Sequence, residues 1–280
     1  MTTEDPVRVL VVTKGHPFER EPFFAIFDDD PALDWTHVEQ PAAQAVLHPE
    51  RAAPWDVVVF YDMPGIRFTF GEPPVKLLAP PSSFVRDFEA LLDAGKGMVF
   101  LHHAVAGWPA WPRYAEIIGG RFHYQPGTLG GVEYPDSGYR FDTRHRVEVL
   151  EPAHPICEGL GDGFELTDEL YLFPVLADDV VPLLRTTFDT ADASRFSSAD
   201  RAVRGARNSS EGWTHPPGCD LVGWVKHAGR SPVAYLQFGD GPSTYADPSF
   251  RRVLSNAITW AASGAAHDWA RDRHGREAHD

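Results

Sequence analysis

Cysteine is almost absent: Cys157 and Cys219 are the only two in 280 residues. Lying far apart, they encode neither a disulfide scaffold nor a zinc ribbon, and each reads as a buried thiol. Basic charge is scarce as well, with 25 Lys and Arg against 40 Asp and Glu and a net charge of −15. Such a chain repels a phosphate backbone unless its cations are segregated into a patch, and none is visible, so nucleic acid is excluded as a partner. No apolar run is long enough to cross a bilayer, and the opening MTTEDPVRVLVV carries acids where an export signal carries cations. A cytoplasmic protein without a membrane partner is expected. Internal repeats and low-complexity blocks are missing too.

Apolar residues make up 43% of the chain and charged residues 23%, which excludes a mainly disordered protein. The length suits one large α/β domain with insertions better than two small ones. VRVLVVT (7–13) and WDVVVFYDM (55–63) are the continuous, β-branched runs of strands buried on both faces, as is MVFL (98–101). PFFAIFDDDPALDWTHVE (22–39) suits a helix with Phe23, Phe24 and Phe27 on one side, followed by a short strand around Trp35–Val38. SSFVRDFEALLDAGKG (82–97) has the helical period, with Ser82 or Ser83 as cap and Gly95 as stop. This alternation predicts an α/β fold: a doubly wound, mostly parallel, flavodoxin-like sheet in three α/β/α layers, with its site beyond the strand carboxyl ends.

Further along, a short helix is expected before Gly119-Gly120, antiparallel strands and loops to about 151, two strands in 219–239 and a helix in 247–264. The stretch 185–218, rich in small and polar residues, is read as a surface insertion, and the charged tail 266–280 as frayed. Trp260 suits a dimer face as well as a core, so a homo-oligomer is left open.

If the sheet is parallel, its rim gathers Lys14, Gly15 and His16 from the first strand, Tyr61 and Asp62 from the second, and His102 and His103 from GKGMVFLHHAVAGW (95–108). Neutral imidazole beside carboxylate binds zinc or manganese, and the same mixture moves protons near neutral pH. No H-x-x-x-H or H-E-x-x-H stands on a helix to favour the metal. Each residue also has a plainer reading: His16 as a turn residue, His103 as a satisfied neighbour, and His154 as a loop-packing residue before Pro155. Trp108, Trp111, Tyr124 and Tyr171 suit either a sugar-facing platform or the core.

KGH (14–16), GKGMVFLHHA, WPRYAEIIGGRFH (111–123), HPICEGL (154–160), TDELY (167–171) and ADPSFRRVLSNAITWAA, in that order, resemble the ThuA-like family, named for trehalose utilisation. The resemblance runs from Val9 to Ala262 outside the 185–218 stretch, marking residues 1–265 as a single domain with a class I glutamine amidotransferase-like fold. It adds His123, Asp168, Glu169 and Asp240 to the rim. Those amidotransferases carry a cysteine nucleophile where this chain has His102, with no cysteine near, so thiolate glutaminase chemistry is excluded. Relatives usually close the penultimate strand with Leu-Gly-His; here QFGDG puts Asp240 in that place.

The resemblance implies a carbohydrate-processing enzyme acting on a trehalose-type disaccharide or a 3-keto-glycoside. His102, His16, Asp168 and Glu169 are its expected catalytic residues. Gly15, Tyr61, Asp62, His103, Trp108, His123, Tyr171 and Asp240 are expected to bind substrate, and a Zn or Mn ion would draw on His16, His102, His123 and Asp240. A non-catalytic sugar-binding or regulatory module on the same fold is the alternative.

Overall fold

The computed structural model describes residues 5–69 and 71–277. The first half runs β1 (Val7–Lys14), α1 (Arg20–Asp28), β2 (Leu33–Glu39), α2 (Ala43–Val46) and β3 (Val57–Asp62). A small hairpin, β4 (Ile66–Phe68) with β5 (Val75–Leu77), leads to α3 (Ser82–Asp93), β6 (Gly97–Leu101), a 3-10 turn His102–Ala106 and α4 (Pro112–Ile118). The second half has a hairpin of β7 (Gly127–Leu129) and β8 (Val132–Tyr134), then β9 (Gly138–Val149), β10 (Gly163–Leu172) and β11 (Val181–Thr186). Next come β12 (Ser197–Ser198), α5 (Ala199–Val203), β13 (Leu221–Ala228), β14 (Ser231–Leu236), α6 (Pro242–Tyr245), α7 (Pro248–Ala262) and α8 (Gly264–Glu277).

One large sheet holds the molecule together. Its parallel half runs β2-β1-β3-β6-β14, the flavodoxin-like order, because each strand returns through a helix packed on one face or the other. Beyond β14 the sheet continues antiparallel through β13, β11, β9 and β10, with β12 beside β9. Strand alternation sorts side chains into two cores. Val9 and Val11 join Phe23 and Phe27 of α1 and Leu254 and Ile258 of α7, while Leu10 and Val12 join Phe84, Phe88 and Leu91 of α3. Each fully buried Phe or Leu contributes roughly 1.5–3 kcal/mol, so a continuous pattern on both faces fixes strand and register together.

Several sequence expectations need adjustment. The helix expected from residue 22 begins at Arg20 and stops at Asp28, ahead of the Asp-Pro pair, and the strand after it spans Leu33–Glu39. Ser82 and Ser83 are already helical; Pro81 holds the N-cap and no side chain caps the helix. Gly95, at φ +81°, does end it. The 185–218 stretch starts inside β11 and contributes β12 and α5, and its Phe196 and Ala199 are buried. Residues 264–277 form a helix rather than a frayed tail, because Ala266 and Ala270 are fully buried in it. Trp269 of the same helix stacks edge-on against Trp260 at 5.6 Å, and His154 covers Trp260 from another side at 5.3 Å, which makes Trp260 a core residue. Residues 278–280 of the expected tail lie outside the described residues. Among the described residues no helix is long and apolar enough to cross a membrane.

Helix and sheet approach closely at Gly97, where an added Cβ would sit 2.3 Å from the carbonyl oxygen of Ala261 in α7. Gly97→Ala is therefore expected to lower unfolding stability by about 3 kcal/mol in urea denaturation. Gly264→Ala, with nothing within 4 Å, should change it by less than about 0.5 kcal/mol. Equal losses in the two variants would contradict this packing.

Candidate functional site

The carboxyl ends of β3, β6 and β14 meet at His102. The chain leaves β6 so sharply that His102 sits at φ +47°, a left-handed conformation that non-glycine residues adopt rarely and at functional sites repeatedly. Its ring is fully buried, and Nδ1 lies 2.6 Å from the carbonyl oxygen of Gln237, just past β14. A carbonyl only accepts, so Nδ1 carries the proton and Nε2 is left for the site. Around Nε2 stand the Tyr171 hydroxyl at 2.8 Å, Glu169 Oε2 at 3.2 Å and Asp240 Oδ1 at 3.6 Å.

Asp168 and Glu169 are neighbours in β10, where strict alternation would send them to opposite faces. The pairing of β10 with β9 is irregular between Asp168 and Leu170, and this break lets both acids turn inward, where both are buried. Their roles differ. Asp168 accepts the backbone N–H groups of Gly239 at 2.7 Å and Asp240 at 3.0 Å, so it shapes the turn that presents Asp240. Tyr61 supports that turn from below, donating to the Gly239 carbonyl at 2.6 Å and touching the Tyr245 hydroxyl at 2.8 Å. Asp240 is the member of the cluster still open to water, its side chain 30% exposed beside the buried His102 and Glu169.

Charge follows this geometry. Burial opposes the His102 cation, but hydrogen bonds to Asp240 and Glu169 and the charges of Glu169 and Asp168 outweigh it and hold the imidazolium to about 10. Burial raises Glu169 further than His102 draws it down. At Asp240 burial also pushes up, yet His102 and His16 pull harder and leave it below the usual carboxylate range. Two carboxylates on one imidazole are thus driven apart in acidity.

His103 turns away, its ring 81° from that of His102. Its Nε2–H donates to the Tyr61 carbonyl at 3.2 Å, and His16 stacks on it at 4.5 Å. Burial and neighbouring imidazoles keep both neutral, His16 pushed down to about 4 and His103 well below its ordinary value. The buried Nδ1 atoms of both rings have no partner among the described residues. Gly15, at φ +105°, makes the close turn before them; a Cβ there would fall 2.3 Å from the Met63 carbonyl oxygen. Lys14 points outward to Glu39 at 3.8 Å.

Other expected site residues lie elsewhere. Asp62 is buried away from His102, taking a hydrogen bond from Gln40 at 2.8 Å. Trp108 and Trp111 pack against Phe84 and Phe88 in the core, which removes them from a sugar platform. Tyr124 remains half-buried near Glu169, whose charge it feels. Along 122–124 alternation carries Phe122 onto Tyr171 at 4.8 Å and turns His123 the other way, toward Arg121 and His215. Among the described residues, the group able to share a metal ion is His102, Glu169 and Asp240, whose ligand atoms lie within 4.8 Å of one another; His16 and His123 are not in it. Gln237, which fixes the His102 tautomer, acts through its carbonyl oxygen and so leaves no side-chain signal in the sequence.

Burial pushes the Asp62 carboxyl up to about 7, with Gln40 pulling weakly against it. A raised folded pKa contributes stability fully present below the unfolded value near 3.8 and lost as pH climbs toward 7. Urea denaturation should therefore show Asp62→Asn gaining on the parent by about 2–3 kcal/mol between pH 5 and pH 8. A constant difference across that range would mean that Asp62 is ionised in the folded protein.

The ThuA family profile, described as trehalose utilisation, matches residues 8–261. A putative ThuA-like protein from Parabacteroides merdae superposes with a TM-score of 0.64 at 16% identity, covering 93% of this chain and 91% of that one. One from Bacteroides uniformis gives 0.59 at 17% identity over 94% of each chain. PurLQS from Thermotoga maritima gives 0.52 at 10% identity over 91% of this chain and 99% of that one, a likeness of fold alone. No curated protein sequence matches the chain.

Proposed function

The chain belongs to the ThuA family, trehalose utilisation, and from that premise we propose that it is a carbohydrate-processing enzyme acting on a trehalose-type disaccharide or its 3-keto form at the His102 cluster. The observation that carries the reading is His102 Nε2 facing Glu169, Asp240 and Tyr171 where Asp240 still meets solvent. A 3-keto sugar has an acidic C–H beside its carbonyl. Asp240, ionised and accessible, takes that proton, while the His102 imidazolium stabilises the oxyanion that forms on the carbonyl oxygen. Glu169, held more protonated by burial, returns a proton as acid. Reprotonation at the neighbouring carbon gives isomerisation; loss of the β-substituent gives elimination. Asp168 and Tyr61 are positioning residues, and the unpartnered Nδ1 of His16 is suited to accept a sugar hydroxyl.

The same three side chains support a second reading, in which His102 Nε2, Glu169 and Asp240 hold a zinc or manganese ion. The readings exclude each other at one atom: the imidazolium needs a proton on Nε2, and a metal needs its lone pair.

Purified protein incubated with a panel of disaccharides and their 3-keto forms is expected to turn over at least one keto form. His102→Gln should cut kcat by about 10²–10⁴-fold with KM little changed. Turnover that vanishes with chelator, together with one stoichiometric ion by elemental analysis, would replace the imidazolium by the metal reading. Ligand binding that survives His102→Gln with no product from the parent would leave a sugar-binding module instead.

A further inference from the structure

Arg121 is a buried cation without a counter-ion among the described residues. It is 2% exposed, and the described residues include no ion pair to it. Its guanidinium donates to the carbonyl oxygens of Gly107 and, at 3.3 Å, Trp111. Two carbonyl dipoles tie down the turn between β6 and α4 but cancel no charge. A buried charge left unpaired costs several kcal/mol, and burial accordingly lowers the arginine to about 10.

The same residue lines a cavity of about 80 Å³ between the β4–β5 hairpin and the β7–β8 hairpin. Ile66 and Leu77 form its apolar wall; His123, Gln125 and Thr128 complete its polar one. His123 is nine-tenths buried, and its Nε2 has no partner among the described residues. Burial and the Arg121 charge push its imidazole down to about 4, so it adds no second positive charge. A single cation in a small cavity balances a single negative charge, and a flat carboxylate matches the planar guanidinium with paired N–H···O contacts.

We infer that the cavity between the two hairpins is a binding site for the carboxylate of a small molecule, with Arg121 as its counter-charge and His123 beside it. The site is separate from the His102 cluster and does not depend on the chemistry proposed there. Two of its lining residues reach toward that cluster: Phe122 packs on Tyr171, and Tyr124 lies near Glu169.

Acetate is the probe, compared with chloride and inorganic phosphate at equal ionic strength and pH 7.5, with the thermal midpoint of the full chain as readout. At 50 mM acetate the midpoint is expected to rise by about 3–6 °C over chloride, with phosphate no better than chloride. Arg121→Lys, checked for parental circular dichroism, should lose the rise, because an ammonium does not reproduce the fork. Gly127→Ala leaves Arg121 untouched but would place a Cβ 2.5 Å from His123 Nδ1, crowding the cavity. Measured against its own midpoint in chloride, it should raise the acetate concentration for half the effect about tenfold. If Arg121→Lys does not fold, Gly127→Ala decides. Acetate no better than chloride, phosphate better than acetate, or an unchanged acetate response in Gly127→Ala would each overturn the site.

Discussion

The bond from His102 Nδ1 to the Gln237 carbonyl joins the ends of two adjacent parallel strands, and the site's chemistry depends on it. It fixes which nitrogen carries a proton, and so fixes what the other offers to Glu169, Asp240 and Tyr171. The left-handed turn at His102 is what brings the ring under Gln237. Such a conformation costs on the order of 1–2 kcal/mol, and the surrounding sheet and the Tyr235 hydroxyl, which donates to the His102 carbonyl at 3.1 Å, hold it in place. Rigidity here comes from the parallel half of the sheet, and polarity from the antiparallel half that supplies Glu169 and Tyr171. The cluster draws on both.

The parallel half was legible because its strands are buried on both faces and its helices keep a clean period. Val9 to Val12 face alternate cores, and no other register would bury all four. His102 was legible for the same reason: a strand that must stay buried ends where its polar residues begin. The antiparallel half was harder to read. A break in pairing decides that Asp168 and Glu169 face the same way, and such breaks follow from the meeting of two strands rather than from local composition. Trp108 and Trp111 stayed open to both readings, since an aromatic ring suits a sugar and a core equally, and the fold packs them on Phe84 and Phe88.

Contacts made by backbone atoms explain most of what the sequence left hidden. Gln237 holds His102 by its carbonyl, Asp168 orders the next turn through two N–H groups, and Arg121 is tied by two carbonyl oxygens. A residue acting through its main chain has no preferred side chain to betray it. The C-terminal helix shows the converse limit: charge and polarity marked 266–280 as a tail, yet two alanines in the right turn suffice to seat it against α7 and the sheet.

Asp240 ties these threads to chemistry. A histidine at position 240 would set a second imidazole against the His102 ring to compete for protons, and two buried cations side by side would leave at least one neutral. An aspartate there does the reverse. It joins Glu169 in keeping His102 charged, and the His102 cation in turn keeps Asp240 ionised despite burial. Because His16 faces the same pair and stays neutral, the positive charge is confined to one ring. A role that needs a neutral imidazole at position 240 is therefore closed to this chain, and what the substitution leaves is one fixed cation between a protonatable carboxyl and an open carboxylate.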